Sequence, residues 1–119
     1  PGASFLTTCR ISSYAGTGVP AYSQDNVIAT SAALNGPQHL FTDRFNNLFI
    51  IDNGNLRVRR IDTDGVITTV AGNGFDGFTG DNGPATQAPM VPLSGTVDAA
   101  GNLYIADGKY HTIRRVGPD

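Results

Sequence analysis

The chain has 119 residues, enough for one small domain and near the lower size at which a β core sustains itself. Charged residues make up 15% and the formal net charge is −2, which argues against a nucleic-acid partner recruited by bulk electrostatics. No apolar run approaches the length of a membrane span, so no membrane span is expected, and no charged-then-apolar leader segment opens the chain.

Positions 1–9 read as an N-terminal arm in which Phe5-Leu6-Thr7-Thr8 has strand composition. Cys9 is the single cysteine, which excludes an internal disulfide and suits a buried thiol better than an intermolecular bridge. Arg10 to Ala15 sets Ile11, Ser13 and Ala15 against Ser12 and Tyr14, the alternation of a half-buried strand, and Gly16-Thr17-Gly18 ends it. Val19 to Gly36 has no sustained period and predicts a long ordered loop, with one helical turn within Ala29 to Leu34. Four strands follow: His39–Thr42, Leu48–Ile51, Leu56–Ile61 and Val66–Ala71. The turns between them, Asp43–Asn47, Asp52–Asn55 and Asp62–Gly65, are rich in residues that tolerate positive φ. The run Leu48-Phe49-Ile50-Ile51 is apolar throughout and predicts a strand buried on both faces.

The same order then returns. Gly72–Met90 is a second long loop, and Gly95–Asp98, Leu103–Ala106 and His111–Val116 are three more strands. Ile11-Ser-Ser-Tyr-Ala-Gly-Thr-Gly falls on Ile67-Thr-Thr-Val-Ala-Gly-Asn-Gly. Asp25-Asn26 falls on Asp81-Asn82, Asp43 on Asp98, Asp52 on Asp107, and Arg59-Arg60-Ile61 on Arg114-Arg115-Val116. The period is about 55 residues, just above the range typical of propeller and solenoid units. The repeat divides the chain into residues 10–71 and 72–119, and the second unit stops after its third strand. Its missing fourth strand has a counterpart at Arg10–Ala15, unused at the other end.

The residues of the second copy carry a specific resemblance. Gly77–Ala88, Val97-Asp98, Gly101-Asn102-Leu103-Tyr104-Ile105-Ala106-Asp107 and Ile113-Arg114-Arg115-Val116 together resemble an NHL repeat of the long form. The likeness extends over nearly the whole chain beyond Arg10. It implies an all-β fold of propeller blades, each of four antiparallel strands, with two blades in this chain. It also implies a recognition platform, most often six-bladed, so that three two-blade protomers would make one ring. The chain departs from the family pattern at Asn55-Leu56-Arg57, at Tyr110-His111-Thr112, and in Ala21–Ile28, where the glycine turns of Gly77–Pro84 are lost.

Candidate chemistry is sparse. Asp52 and Asp107 end strands next to tight turns, where a carboxylate accepts backbone N–H groups. Asp76, Asp81 and Asn82 share one glycine-rich loop, but their spacing does not match an Asp-x-Asp-x-Asn calcium loop, and structural capping by Asp81 and Asn82 is the expectation. The pairs Arg59-Arg60 and Arg114-Arg115 lie on third strands, where neighbours face opposite ways, and predict inter-blade salt bridges to Asp43 and Asp98. His39 and His111 occupy different places in the two copies, so they form no repeated zinc site, and no nucleophile-elbow spacing appears. Tyr14, Tyr22, Phe75, Phe78, Tyr104 and Tyr110 are expected to pack between sheets more than to stack on ligands.

The expectation is therefore a non-catalytic, extracellular scaffold with no cofactor and no metal. Its partner is expected to be itself, with a strand from another subunit or from further chain completing the last blade. Arg10, Ile11, Ser13 and Ala15 on one side and Ile113, Arg115 and Val116 on the other would meet, giving a ring or a filament. One alternative is a piece of a larger extracellular propeller that binds a protein or glycan. Another is part of a metal-dependent lyase or hydrolase propeller.

Overall fold

The computed structural model describes residues 8–118. Eight strands run in chain order: β1 (Val27–Ile28), β2 (Pro37–Thr42), β3 (Leu48–Asp52), β4 (Arg57–Ile61), β5 (Val66–Ala71), β6 (Pro92–Val97), β7 (Leu103–Asp107) and β8 (Thr112–Val116). They form two open antiparallel sheets. One is five-stranded, in the order β1-β5-β4-β3-β2, and the other is three-stranded, in the order β6-β7-β8. The fold is all-β, with helical character confined to short 3₁₀ turns at Ala29–Ser31, Asn53–Asn55 and Ala85–Gln87.

Each predicted strand after position 36 is present, and the ends differ in one consistent way. β2 and β6 begin earlier than expected, at Pro37 and Pro92, because both prolines open their strands and are followed by the same register shift against β3 and β7. The short β1 arises inside the first long loop, where the chain lies against β5 with Val27 opposite Ile67 and Ile28 opposite Val66.

Two expectations for the N-terminal segment are overturned. Arg10–Ala15 belongs to no sheet in this chain: its residues through Tyr14 are exposed, and only Ala15 is half-buried. The sequence alternation is real, but a strand needs a partner edge to satisfy its backbone groups, and none lies beside this segment. Cys9 is likewise exposed, not buried. Most of the Phe5–Thr8 segment lies outside the described residues.

The repeat holds at backbone level. Gly16 and Gly72 have φ of +93° and +92°, and each donates its N–H to the alanine that opens a 3₁₀ turn, Ala29 or Ala85, at 3.0 Å in both cases. A Cβ at Gly72 would run into the Leu56 carbonyl oxygen, so the position needs glycine for space as well as for φ. Asn26 and Asn82 both sit in the left-handed region, as do the matched residues Leu56 and His111.

Two cores result. Phe49, Ile51 and Val58 of the larger sheet meet Met90, Leu103 and Ile105, which binds the two sheets face to face. Gly95 lets them approach, since a Cβ there would lie 3.1 Å from the Phe41 ring. The second core is internal to the first copy: Ala29, Ala32, Ile50, Ile61 and Ile67 are all buried, with Ala15 and Leu34 against them.

Candidate functional site

The open edge of β8 is the candidate site. In the larger sheet β4 has β3 on one side and β5 on the other, whereas β8 is paired with β7 alone among the described residues. Beside the β8 edge runs a groove of about 640 Å³, bounded by Arg114–Val116, by Gly80–Thr86 with Ala88, and by Phe49, Arg60 and Val70 of the larger sheet. In the first copy, the space between β4 and the counterpart loop is filled by β5.

The arginines of the third strands point into these two places, and their partners differ from expectation. Arg59 donates to Asp25 Oδ1 at 3.1 Å and to Asp52 Oδ2 at 3.4 Å, with its side chain fully buried. Arg114 donates to Asp81 Oδ1 at 2.9 Å, and Asp81 keeps 80% of its side-chain surface exposed. Each arginine also donates to a loop carbonyl, that of Ser23 or of Thr79. The ion pairs are thus made to the repeat's own long loop and not to Asp43 or Asp98, because the arginine on this face reaches back over its own sheet. Asp25 with Arg59 and Asp81 with Arg114 recur at almost equal separation, 34 and 33 residues, a signal that was present in the sequence.

Asp43 and Asp98 serve their own turns instead. Asp43 accepts from the backbone of Phe45 and Asn47 at 2.9 Å each and from the Asn47 side chain. Partial burial acts to raise its pKa, but the Asn47 side-chain and backbone bonds, the Phe45 bond and the charge of Arg60 together hold the carboxyl below its ordinary value. Asp98 is held low chiefly by the backbone and side-chain bonds from Asn102. Arg60 and Arg115 line the groove from the larger sheet and from β8 respectively.

Asp52 and Asp107 are buried at the ends of β3 and β7. Asp52 accepts from the Asn35 N–H at 2.8 Å and from the Asn55 side chain at 2.7 Å. Asp107 accepts from the N–H groups of Val91, Lys109 and Tyr110 at 3.0–3.1 Å. Each therefore ties a long loop and a tight turn to its strand. Asp81 does not cap its own loop, being turned to Arg114, while Asn82 supplies positive φ in the turn.

The Asp76, Asp81, Asn82 loop is not assembled for a cation. Asp76 binds the Lys109 ammonium and the Tyr110 hydroxyl, which hold its carboxyl below the ordinary value. No group of three or more His, Cys, Asp or Glu side chains among the described residues is arranged to hold a metal ion. His39 donates from Nε2 to the Gly95 carbonyl at 3.1 Å, across the two sheets, while His111 is exposed in the β7–β8 turn. No helix among the described residues is long and apolar enough to cross a membrane.

The aromatics divide. Phe41 stacks on Phe49 at 5.1 Å between centroids, and Tyr22 lies under Arg57 and Arg59 at 3.9 and 5.1 Å. Phe75 and Phe78 stay largely exposed, with Phe78 against Tyr110.

No known family profile matches the chain, and no curated protein sequence matches it. Solved structures do. A protein of unknown function from Bacteroides thetaiotaomicron superposes with a TM-score of 0.72 at 26% identity, over 85% of this chain and 26% of its own. An auxiliary nutrient binding protein from the same organism superposes with a TM-score of 0.68 at 21% identity, over 87% of this chain and 28% of its own. The chain thus spans about a quarter of the length of these structures.

Proposed function

We propose that this chain supplies two NHL-type blades of a β-propeller and acts as a non-catalytic, extracellular interaction scaffold that assembles by strand complementation. The observation that carries this is the groove beside β8: it occupies the position that β5 fills in the first copy, between homologous strands and homologous loops. An unpaired edge with an apolar floor recruits a strand, whose backbone supplies affinity and whose alternate side chains supply specificity. A rotation that closes gives a ring, with three copies making six blades, and one that does not gives a filament.

Size-exclusion chromatography with light scattering tests the proposal on the chain as it stands. A discrete species at three times 12.5 kDa supports a ring, very large species support a filament, and a stable monomer removes self-assembly. A second reading, a portion of a longer propeller that binds a protein or glycan, is favoured by the coverage of about a quarter of the matched structures. A stable monomer is its expected result. The metal-dependent enzyme reading requires bound metal in the purified protein, and a folded, metal-free preparation speaks against it.

A further inference from the structure

In the first copy the position matching the groove beside β8 is filled by a strand, β5. There, Ile61 faces Ile67, Arg60 faces Thr68 and Arg59 faces Thr69 across the β4–β5 pair. Ile67 is 0% exposed and closes the core with Ala29, Ala32, Ile50 and Ile61. The Thr69 hydroxyl donates to Asp25 Oδ1 at 2.9 Å, the same oxygen that receives Arg59. The loop residue Asn26 donates its N–H to the Ile67 carbonyl at 2.8 Å.

In the second copy Ala85, Ala88, Ile105 and Val116 stand where Ala29, Ala32, Ile50 and Ile61 stand in the first, and the counterpart of Ile67 is missing from that core. Its counterpart in the chain is Ile11, which is 100% exposed. Asp81 is held by Arg114 yet open to solvent on its other side, and the counterpart of Thr69 is Ser13, again a hydroxyl.

We propose that Arg10–Ala15 of a second copy seats antiparallel along β8 with Ile11 opposite Val116, Ser12 opposite Arg115 and Ser13 opposite Arg114, and that the seated Ser13 hydroxyl donates to the Asp81 carboxylate. This register rests on the assembly proposed above and makes it specific. A slip of one residue would turn Ile11 away from Val116 and towards solvent, and a slip of two would take Ser13 out of reach of Asp81. The Arg114–Asp81 pair is then a register sensor: it binds the incoming strand only when a hydroxyl arrives at one position.

The test uses the full chain in a Cys9→Ser background, which removes the single native thiol. In the first copy, Asp62 donates its N–H to the Val66 carbonyl at 3.0 Å, so the next pair, Ile61 with Ile67, is of the non-hydrogen-bonded type whose Cβ atoms come close. Ile11→Cys protein mixed with Val116→Cys protein should therefore form an intermolecular disulfide under mild oxidation. Ile11→Cys mixed with Arg114→Cys, which reports a slip of two residues, should not. Ser13→Ala should weaken assembly by about tenfold and Ser12→Ala should leave it unchanged.

Light scattering of the unsubstituted chain is run in parallel. Assembly with crosslinking at position 114, or at neither position, overturns the register while leaving complementation standing. Assembly insensitive to Ser13→Ala overturns the polar lock. A monomer that forms no crosslink overturns both the register and the assembly it rests on.

Discussion

The two copies of the repeat share a backbone and differ in what covers it. In the first, β5 lies beside β4, so Arg59 is fully buried between two carboxylates and Ile67 closes a buried apolar core. In the second, β8 has no strand on that side among the described residues, so Asp81 keeps 80% of its side-chain surface exposed while its partner Arg114 keeps 11%, and a groove borders Ala88, Met90 and Leu103. One chemistry in two dielectric settings has two energetic meanings. A fully buried pair is costly to break because the surviving charge stays desolvated, whereas a carboxylate that keeps its water, as Asp81 does, contributes less to its pair.

Substitutions at matched positions sharpen that contrast. The largest effect is expected for Arg59→Ala, which strands Asp52 at 0% exposure without its cation and should cost about 3–5 kcal/mol in urea denaturation. Next comes Ile67→Ala, which opens a cavity in the first core and should cost about 2–5 kcal/mol. Ile11→Ala at the matched position should leave the unfolding free energy of the isolated chain unchanged and act on assembly alone. An equal loss at both positions would show that Arg10–Ala15 is already seated within one chain.

Smaller still is the matched pair of aspartates. Asp25→Ala removes an acceptor shared by Arg59 and the Thr69 hydroxyl and should cost about 1–3 kcal/mol, against less than about 1 kcal/mol for Asp81→Ala in the monomer. If the two costs converge once the protein assembles, the groove has been filled by a strand like β5.

Acidification acts on both copies alike. Asp43 and Asp98 have depressed pKa values in the folded chain, so the stability they lend is present above the unfolded value of about 3.8 and is lost as pH falls through the lower, folded value. Thermal melts should therefore fall off below about pH 4, and the slope should flatten in an Asp43→Asn, Asp98→Asn double variant. The smallest effect is expected for Lys109→Ala: its pair with Asp76 is exposed on both sides, and the melting temperature at neutral pH should not move.

Much of the fold was legible in the residues. Side-chain period and the turn sets Asp43–Asn47, Asp52–Asn55 and Asp62–Gly65 placed every strand after position 36. Positive φ falls at Asn46 and Gly65 as those turn residues suggest, but at the second turn it falls on Leu56 and not on Gly54 or its asparagine neighbours. The site was legible in part. The order of the two copies marked β8 as the third strand whose second edge is open among the described residues. The spacing of Asp25 to Arg59 and of Asp81 to Arg114 carried the ion pairs too, but a salt bridge chosen by strand alternation alone pointed to Asp43 and Asp98. Val27–Ile28 was hidden, since a two-residue strand has no period and exists only because β5 offers an edge.

What the sequence determined by itself is the repeat: where the chain turns and which positions must be apolar. These depend on local sterics and side-chain period, which any copy of the pattern obeys. Whether a given apolar run becomes a strand was decided only in three dimensions. Ile67–Ala71 and Ile11–Ala15 are matched residue for residue, yet one is a strand and the other is not. The difference is a neighbouring edge, and no residue can supply that for itself.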